Sequence, residues 1–301
     1  MSRKINSNWR SPLSGTSILS ISGADTVSFL QGQLSNDMHA LDDAHCQRSA
    51  YHQPDGRVLA VPLVLLQGSE ASLVLPTDIV EDIRERLSRY VLRAKVEFSV
   101  SAGLCGLSGA DLTAKLPSMP IPQPGCVTRT AGGLLLAAYS SQRILACGPP
   151  DNADWQLIDD ALAEEPEAVW QLADIRDGIP QVTTANQTRY TAQMLNLDLI
   201  GAISFSKGCY AGQEIIARTQ NLGKIKRRLC RLGSETEIAG DEVSLANGNK
   251  VGEILNRQKS TGNGKPAWEY LAVIRLDQRQ AGLYNDGTPL SLLDLPYAIP
   301  D

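Results

Sequence analysis

The sequence has few of the residues on which most metal-dependent and hydrolytic enzymes rely. It contains only three histidines, all within one early segment. Its six cysteines include no Cys-x-x-Cys pair, so a zinc knuckle or a thioredoxin-like redox motif is unsupported. Neither a GxGxxG motif nor a P-loop occurs, which argues against the common dinucleotide and triphosphate sites. We therefore predict no metal site.

Long apolar runs are also absent. No stretch reaches the roughly 18 residues that a membrane span needs, and segment 1–10 lacks the apolar core of a secretory signal. The chain of 301 residues is 43% hydrophobic and 20% charged, which is typical of a globular protein with a substantial core. We expect a cytoplasmic protein that does not bind membranes.

One octapeptide stands out against this background: Lys-Gly-Cys-Tyr-Ala-Gly-Gln-Glu at 207–214. Two glycines bracket Cys209, so the backbone there can turn sharply or pass close to a ligand. Lys207 lies two residues away, and a neighbouring cation favours the thiolate, the nucleophilic form of cysteine. We predict an exposed, activated thiol at Cys209 with Lys207 as its catalytic partner. The alternative interpretation is an ordinary helix start after a glycine turn.

Basic residues are concentrated in and after this motif. From Lys207 to Arg231 there are seven basic residues and one acid, Glu214, in a chain of formal net charge −5. This segregation indicates an anionic partner, although a solvated basic face is the alternative. The overall acidity argues against strong, general nucleic-acid binding. The stretch also contains a single aromatic residue, Tyr210, for stacking on single-stranded bases.

Hydrophobic patterning divides the chain into two mixed αβ halves and an all-β end. Alternating and apolar runs predict strands at 18–21, 46–51, 57–66, 71–75, 95–100, 134–138 and 143–147. Amphipathic stripes predict helices after caps at Asp25 and Asp78, and others at 108–116 and 153–164. From residue 226 onward, short apolar runs separated by Gly, Asn and Asp predict a small antiparallel barrel. We expect a body at 1–225, with a proline-rich break near 117–125, and a barrel domain at 226–301.

An ordered series of motifs closely resembles the YgfZ-type folate-binding proteins, relatives of the glycine-cleavage T-protein (aminomethyltransferase). The series comprises residues 23–25, 29–37, 55–57, 90–96, 178–180, 193–198, 207–219 and 223–229. It covers most of 18–229 and is most specific from residue 207 onward. The resemblance implies an α+β fold: two ferredoxin-like halves form a folate-binding body, a small antiparallel β-barrel follows, and the three pack around a central channel.

The resemblance also implies tetrahydrofolate or a one-carbon folate derivative as cofactor, and iron–sulfur client or assembly proteins as partners. The family supports iron–sulfur enzymes, including those that modify tRNA. Folate needs a concave site lined by aromatic rings and amides, with cations for its glutamate tail. The cofactor-binding candidates are Asn36, Asp37, Trp170, Gln193, Asn196, Tyr210, Gln213, Glu214 and Arg218, with Lys224 as a second cation for the tail. The alternative interpretations are a core tryptophan and solvated surface arginines.

Two departures from the T-protein pattern bear on catalysis. Where aminomethyltransferases carry an acidic pair, this chain has the apolar residues 58–61. Two residues before Gly178, where T-proteins place a pterin-reading glutamate, it has Arg176, which cannot accept a hydrogen bond. We therefore expect an accessory factor for iron–sulfur cluster assembly or repair. The alternatives are a one-carbon transferase with an unknown acceptor and a non-enzymatic RNA- or protein-binding module.

Overall fold

The structure, a computed structural model, describes residues 7–261 and 266–300. The body strands in these ranges are β1 (Asn8–Pro12), β2 (Thr16–Ser22), β3 (Cys46–Arg48), β4 (Tyr51–His52), β5 (Val58–Ala60), β6 (Leu63–Gln67), β7 (Glu70–Pro76), β8 (Glu97–Ser101), β9 (Leu104–Gly109), β10 (Val127–Arg129), β11 (Leu135–Ala138), β12 (Arg143–Cys147) and β13 (Ala163–Glu164). The helices are α1 (Thr26–Gln31), α2 (Thr77–Ser88), α3 (Leu112–Lys115), α4 (Asp154–Ala161), α5 (Glu167–Asp177) and α6 (Gln213–Leu222). The remaining strands are β14 (Arg227–Ser234), β15 (Glu242–Leu245), β16 (Lys250–Lys259), β17 (Trp268–Arg275), β18 (Leu283–Asn285) and β19 (Thr288–Leu293).

The first half is a five-stranded antiparallel sheet in the order β3-β6-β7-β2-β8. Helix α2 buries Ile79, Ile83 and Leu87 in the core of this half, as its 3.6-residue periodicity predicts. Tyr90 continues this spacing in the sequence but is 52% exposed, because α2 ends at Ser88.

Neither predicted aspartate cap caps its helix through its side chain. The Asp25 carboxylate accepts a hydrogen bond from the Lys95 backbone N–H at 2.7 Å, which fixes the loop before β8. Asp78 lies in the first turn of α2 and accepts hydrogen bonds from the backbone N–H and the hydroxyl of Thr184. Both carboxylates therefore connect distant segments, a role that local sequence cannot reveal.

The second half is a six-stranded sheet in the order β10-β11-β12-β9-β1-β13. Residues 104–109 form its strand β9, between β12 and β1, so the predicted helix at 108–116 is reduced to the four residues of α3. The chain passes from the first sheet to the second at residues 102–103. The proline-rich segment 117–125 connects α3 to β10 within the second half.

The last part of the chain closes into a six-stranded barrel in the order β14-β17-β16-β15-β18-β19. The predicted α+β architecture with a small antiparallel barrel is confirmed. Leu232, Val243, Ile254 and Tyr270 fill the barrel interior, because alternate residues of each strand point inward. The division of the chain into separate domains at 1–225 and 226–301 stays a prediction. Among the described residues, no helix combines the length and hydropathy required to cross a bilayer.

Candidate functional site

A central cavity of about 540 Å³ lies where the two sheets, helix α5 and barrel strand β16 meet. Its walls are largely apolar, with contributions from Leu63, Val74 and Leu145. Polar groups converge from each unit, including Arg48 of the first half and Asn256 of the barrel. A concave, mostly apolar cavity of this size with a few fixed polar groups is the usual form of a small-molecule site.

One wall of the cavity is aromatic. The rings of Tyr139 and Trp170 have centroids 4.7 Å apart, and the guanidinium of Arg143 lies 4.4 Å from the Trp170 ring centroid. Arg48 covers the Tyr139 ring at 4.3 Å. Trp170 rests on β9, where a Cβ at Gly106 would fall 2.2 Å from the indole ring. The wall is therefore held rigidly by cation–π contacts and by a glycine that admits the indole.

A buried carboxylate faces this wall. Asp174 is 3% exposed, lines the cavity, and accepts a hydrogen bond from Gln181 Nε2 at 3.0 Å. Its Oδ1 lies 2.8 Å from Arg143 Nη2, and that guanidinium also contacts Asp177 at 2.7 Å. Burial raises the pKa of Asp174, and the lowering effect of Arg143 only partly offsets it. Asp174 thus supplies a hydrogen-bond acceptor at the site. Its carboxylate binds a proton more readily than that of an ordinary aspartate.

Asp174 is a residue of the cavity that no sequence motif indicates. Trp170 and Asp174 stand four residues apart on α5, so they share one helix face. That spacing was the signal that could have found it. Arg176 lies on another side of the helix, where its Nη2 is 2.7 Å from Glu269 of the barrel. The positive charge expected in the pterin position is therefore directed at the barrel.

Of the nine cofactor-binding candidates, the structure brings only Trp170 to the cavity. Asn36 holds its own loop, since its Nδ2 donates to the carbonyls of Arg48 and Gly201 at 2.8 Å each. Asp37 Oδ1 accepts from Gln31 Nε2 and the His39 N–H, both at 3.0 Å. Neither residue lines the cavity, so the expectation that they form a ligand wall stays a prediction.

Gln193 and Asn196 also donate hydrogen bonds to backbone carbonyls, and their assignment to cofactor binding stays a prediction. Gln193 is buried and donates from Nε2 to the carbonyl of Ile216 in α6 at 2.9 Å. Asn196 has a φ of 57° and donates from Nδ2 to the carbonyl of Leu229 in β14 at 2.8 Å. These two amides tie the irregular segment before the 207–214 motif to α6 and to the barrel.

The 207–214 motif forms a turn that leads into α6. Gly212 has a φ of 80°, and a Cβ there would fall 2.7 Å from the carbonyl oxygen of Gln53. The turn at 53–56 therefore packs directly against the motif, and glycine at 212 permits this close approach. Cys209 is exposed. Tyr210 is buried, its ring lies 6.3 Å from that of His52, and burial raises its pKa to about 12.

The remaining candidates of the motif lie outside the cavity. Gln213 Nε2 is 3.5 Å from the Lys207 carbonyl oxygen, so this side chain braces the turn. Glu214 and Arg218 are exposed on α6. None of these three side chains lines the cavity, so their assignment to cofactor binding stays a prediction without geometric support.

The ammonium group of Lys207 has backbone carbonyl groups as its partners. Its side chain is buried, and Nζ donates to the carbonyls of Gln31, Leu34 and Asn36 at 2.7, 2.7 and 2.8 Å. Burial lowers the pKa of Lys207 to about 8, which still leaves the ammonium form at neutral pH. The lysine therefore satisfies carbonyl groups in and after the last turn of α1, and its role as catalytic partner of Cys209 stays a prediction.

The fold and the cavity define a class of protein. The structure aligns with the crystal structure of glycine cleavage system aminomethyltransferase T from Bartonella henselae with a TM-score of 0.79. The alignment covers 96% of this chain and 86% of that chain at 14% sequence identity. The chain thus has the aminomethyltransferase T fold, and this likeness concerns the fold alone.

Sequence comparison gives the family. The chain is 31% identical over 255 residues to the tRNA-modifying protein YgfZ of Colwellia psychrerythraea, covering 81% of this chain and 79% of that protein. It is 29% identical over 272 residues to the protein of the same name from Vibrio atlanticus, covering 89% and 80%. No protein-family model matches the chain. The chain belongs to the YgfZ family, as its motifs predicted.

Proposed function

We propose that this protein binds tetrahydrofolate or a one-carbon folate derivative in the central cavity. The observation that carries the proposal is the arrangement of Tyr139, Trp170 and Asp174 in one cavity of about 540 Å³. A pterin ring offers a flat face for an aromatic wall, and its N–H groups need a carboxylate acceptor. Asp174 can take that part in place of the glutamate that T-proteins carry two residues before the glycine. Arg48 and Arg257 are the cations among the cavity-lining residues. A glutamate tail would reach Arg257 in competition with its present partner, Asp241.

The wider role in this proposal is to support iron–sulfur enzymes that modify tRNA, in the cytoplasm. The relatives in the family are named tRNA-modifying proteins, which supports the tRNA part of the role. The exposed Cys209 does not line the cavity, so the folate and the thiol would act at separate sites. An iron–sulfur client or assembly protein would meet the thiol from outside.

Aminomethyl transfer is a weaker candidate. Val58, Leu59 and Ala60 of β5 are all buried, and Val61 lines the cavity. No carboxylate therefore occupies the stretch where aminomethyltransferases place their acidic pair. That reaction needs groups that manage the protons of the amine and stabilise a cationic intermediate.

A titration of the purified protein with tetrahydrofolate and its one-carbon derivatives tests folate binding. We expect Asp174→Asn to weaken binding by about 1–3 kcal/mol, because the pterin N–H groups lose a charged acceptor. Binding to the parent protein should also weaken on the acid side, beginning above the pH at which an ordinary aspartate protonates, since burial raises the pKa of Asp174. Asp37→Asn is the matched control and should change little, because Asp37 lies outside the cavity. Equal affinities for all three proteins would contradict the assignment of the cavity.

The cellular role is tested by deleting the gene and measuring thiolated tRNA nucleosides. We expect these nucleosides to fall while glycine cleavage stays intact. A Cys209→Ser protein should bind folate normally and fail to restore the nucleosides, since the thiol and the cavity are separate. Turnover of aminomethylated lipoyl carrier protein by the purified protein at about 1 per second or faster would instead establish a true aminomethyltransferase.

A further inference from the structure

The basic stretch 207–231 separates into two groups of side chains. Three of its seven cations have structural partners: Lys207 bonds three carbonyls, Arg228 pairs with Asp198 at 2.6 Å, and Arg231 pairs with Glu269. The other four are exposed, and none forms an ion pair or side-chain hydrogen bond within residues 7–261 and 266–300. They are Arg218, Lys224, Lys226 and Arg227, which we call the cationic strip.

The strip begins in α6, the helix that follows the turn with the exposed thiol. Arg218 lies five residues after Gln213, the first residue of α6, which corresponds to about 7.5 Å along the helix axis. The turn that carries Cys209 precedes this helix. Lys224, Lys226 and Arg227 follow where the chain enters β14, and Arg227 is paired across the ladder with Arg275. No acidic residue occurs between 215 and 231. The strip is therefore a local concentration of positive charge in a chain of net charge −5.

We propose that the cationic strip docks the phosphate backbone of a folded RNA, a tRNA in particular, and thereby brings it next to Cys209. This inference rests on the tRNA role proposed above. A run of cations without interspersed acids matches a uniformly charged phosphate backbone.

The scarcity of aromatic residues and the negative net charge do not exclude docking of a phosphate backbone. A single aromatic residue in the stretch counts against stacking on single strands, but an A-form helix is held through phosphate and 2′-hydroxyl contacts that need no aromatic ring. The net negative charge of the protein argues against general nucleic-acid binding, yet it permits a local, salt-sensitive contact. The glutamate tail of folate is a poor alternative, because none of the four cations lines the central cavity.

The test is fluorescence anisotropy of a labelled tRNA transcript with the full-length protein across a range of salt concentrations. The variant Arg218→Gln, Lys224→Gln, Lys226→Gln, Arg227→Gln should bind roughly 10- to 100-fold more weakly at about 0.1 M salt. Its plot of log affinity against log salt should flatten by about one unit for each phosphate that the variant no longer neutralises. Melting temperature should stay unchanged, which shows that the variant is folded.

The matched control removes two arginines and two lysines elsewhere: Arg89→Gln, Arg93→Gln, Lys95→Gln, Lys115→Gln. These four side chains are also exposed and form no ion pair within the described ranges, so this variant should bind tRNA nearly as the parent does. An equal loss in both variants would overturn the proposal, as would a parent protein that binds folate but no tRNA. Binding of polyglutamate as tight as that of tRNA, with the same loss, would assign the strip to an acidic protein instead. Strip-dependent tRNA binding without folate binding would uphold this inference and refute the folate site alone.

Discussion

Replacing Glu269 by glutamine is expected to lower the free energy of unfolding by about 3–5 kcal/mol. The Glu269 side chain is buried between two arginines, one from each part of the chain. Its Oε1 accepts from Arg176 of α5 at 2.7 Å, and its Oε2 accepts from Nε of Arg231 in β14 at 2.9 Å. Glutamine keeps the shape but removes the charge, and its amide group would face a guanidinium. Two arginines would then lose their common counter-ion where α5 meets the barrel.

The pH dependence of stability gives a second measurement at the same site. Burial opposes ionisation of Glu269, but hydrogen bonds from Arg176 and Arg231 prevail, so its pKa is lowered. A carboxyl with a lowered folded-state pKa contributes stability above its unfolded pKa, near 4.3, and loses that contribution as the pH falls. The glutamine variant should lack this part of the acid dependence in denaturant titrations.

A matched substitution separates this effect from a general loss of charge. Glu81→Gln breaks an exposed pair with Arg84 on α2 and should cost no more than about 1 kcal/mol. If the two variants are equally stable, Glu269 does not hold the barrel to the body. The arginine that departs from the T-protein pattern would then have no structural explanation.

The sequence predicted best the elements whose signals are local. The barrel strands are short apolar runs between turn residues, so each strand can be predicted from its own residues. Strand β9 was missed because its glycine-containing sequence carries little strand propensity. Its structure comes from pairing with β1 and β12, and Gly106 is required by the indole of Trp170, 64 residues away. Such pairing is a non-local property that a single sequence does not display.

The site was predicted less well for the same physical reason. Trp170 was identified, but its cavity is assembled from side chains of the first half, the second half and the barrel, such as Arg48, Tyr139 and Asn256. The motifs predict ligand contacts at their polar residues. In the structure, Asn36, Gln193 and Asn196 use their amides to bond backbone carbonyls of neighbouring segments. A motif shows which residues matter, whereas the direction of each side chain depends on the assembled fold.

Lys207 gives the clearest case, and its substitution tests the structural role directly. We expect Lys207→Met to lower the free energy of unfolding by about 2–4 kcal/mol. Three carbonyl oxygens, from residues 171 to 176 positions earlier in the chain, would lose a charged donor. Methionine is similar in length and apolar, so it fills the space without replacing those hydrogen bonds. Lys224→Met, the same change at an exposed position, should stay within about 0.5 kcal/mol of the parent protein.

The same variant separates this role from activation of the thiol. If Lys207 only anchors the turn to α1, a thiol reagent should label Cys209 in Lys207→Met no more slowly than in the parent across neutral pH. An activating lysine would behave in the opposite way, because removing a nearby cation lowers the thiolate fraction. Unchanged stability together with labelling slowed by about tenfold would therefore restore Lys207 as the partner of Cys209. Lost stability with undiminished labelling would establish that the lysine serves to attach this turn to α1, which presents the cysteine at the surface beside the cationic strip.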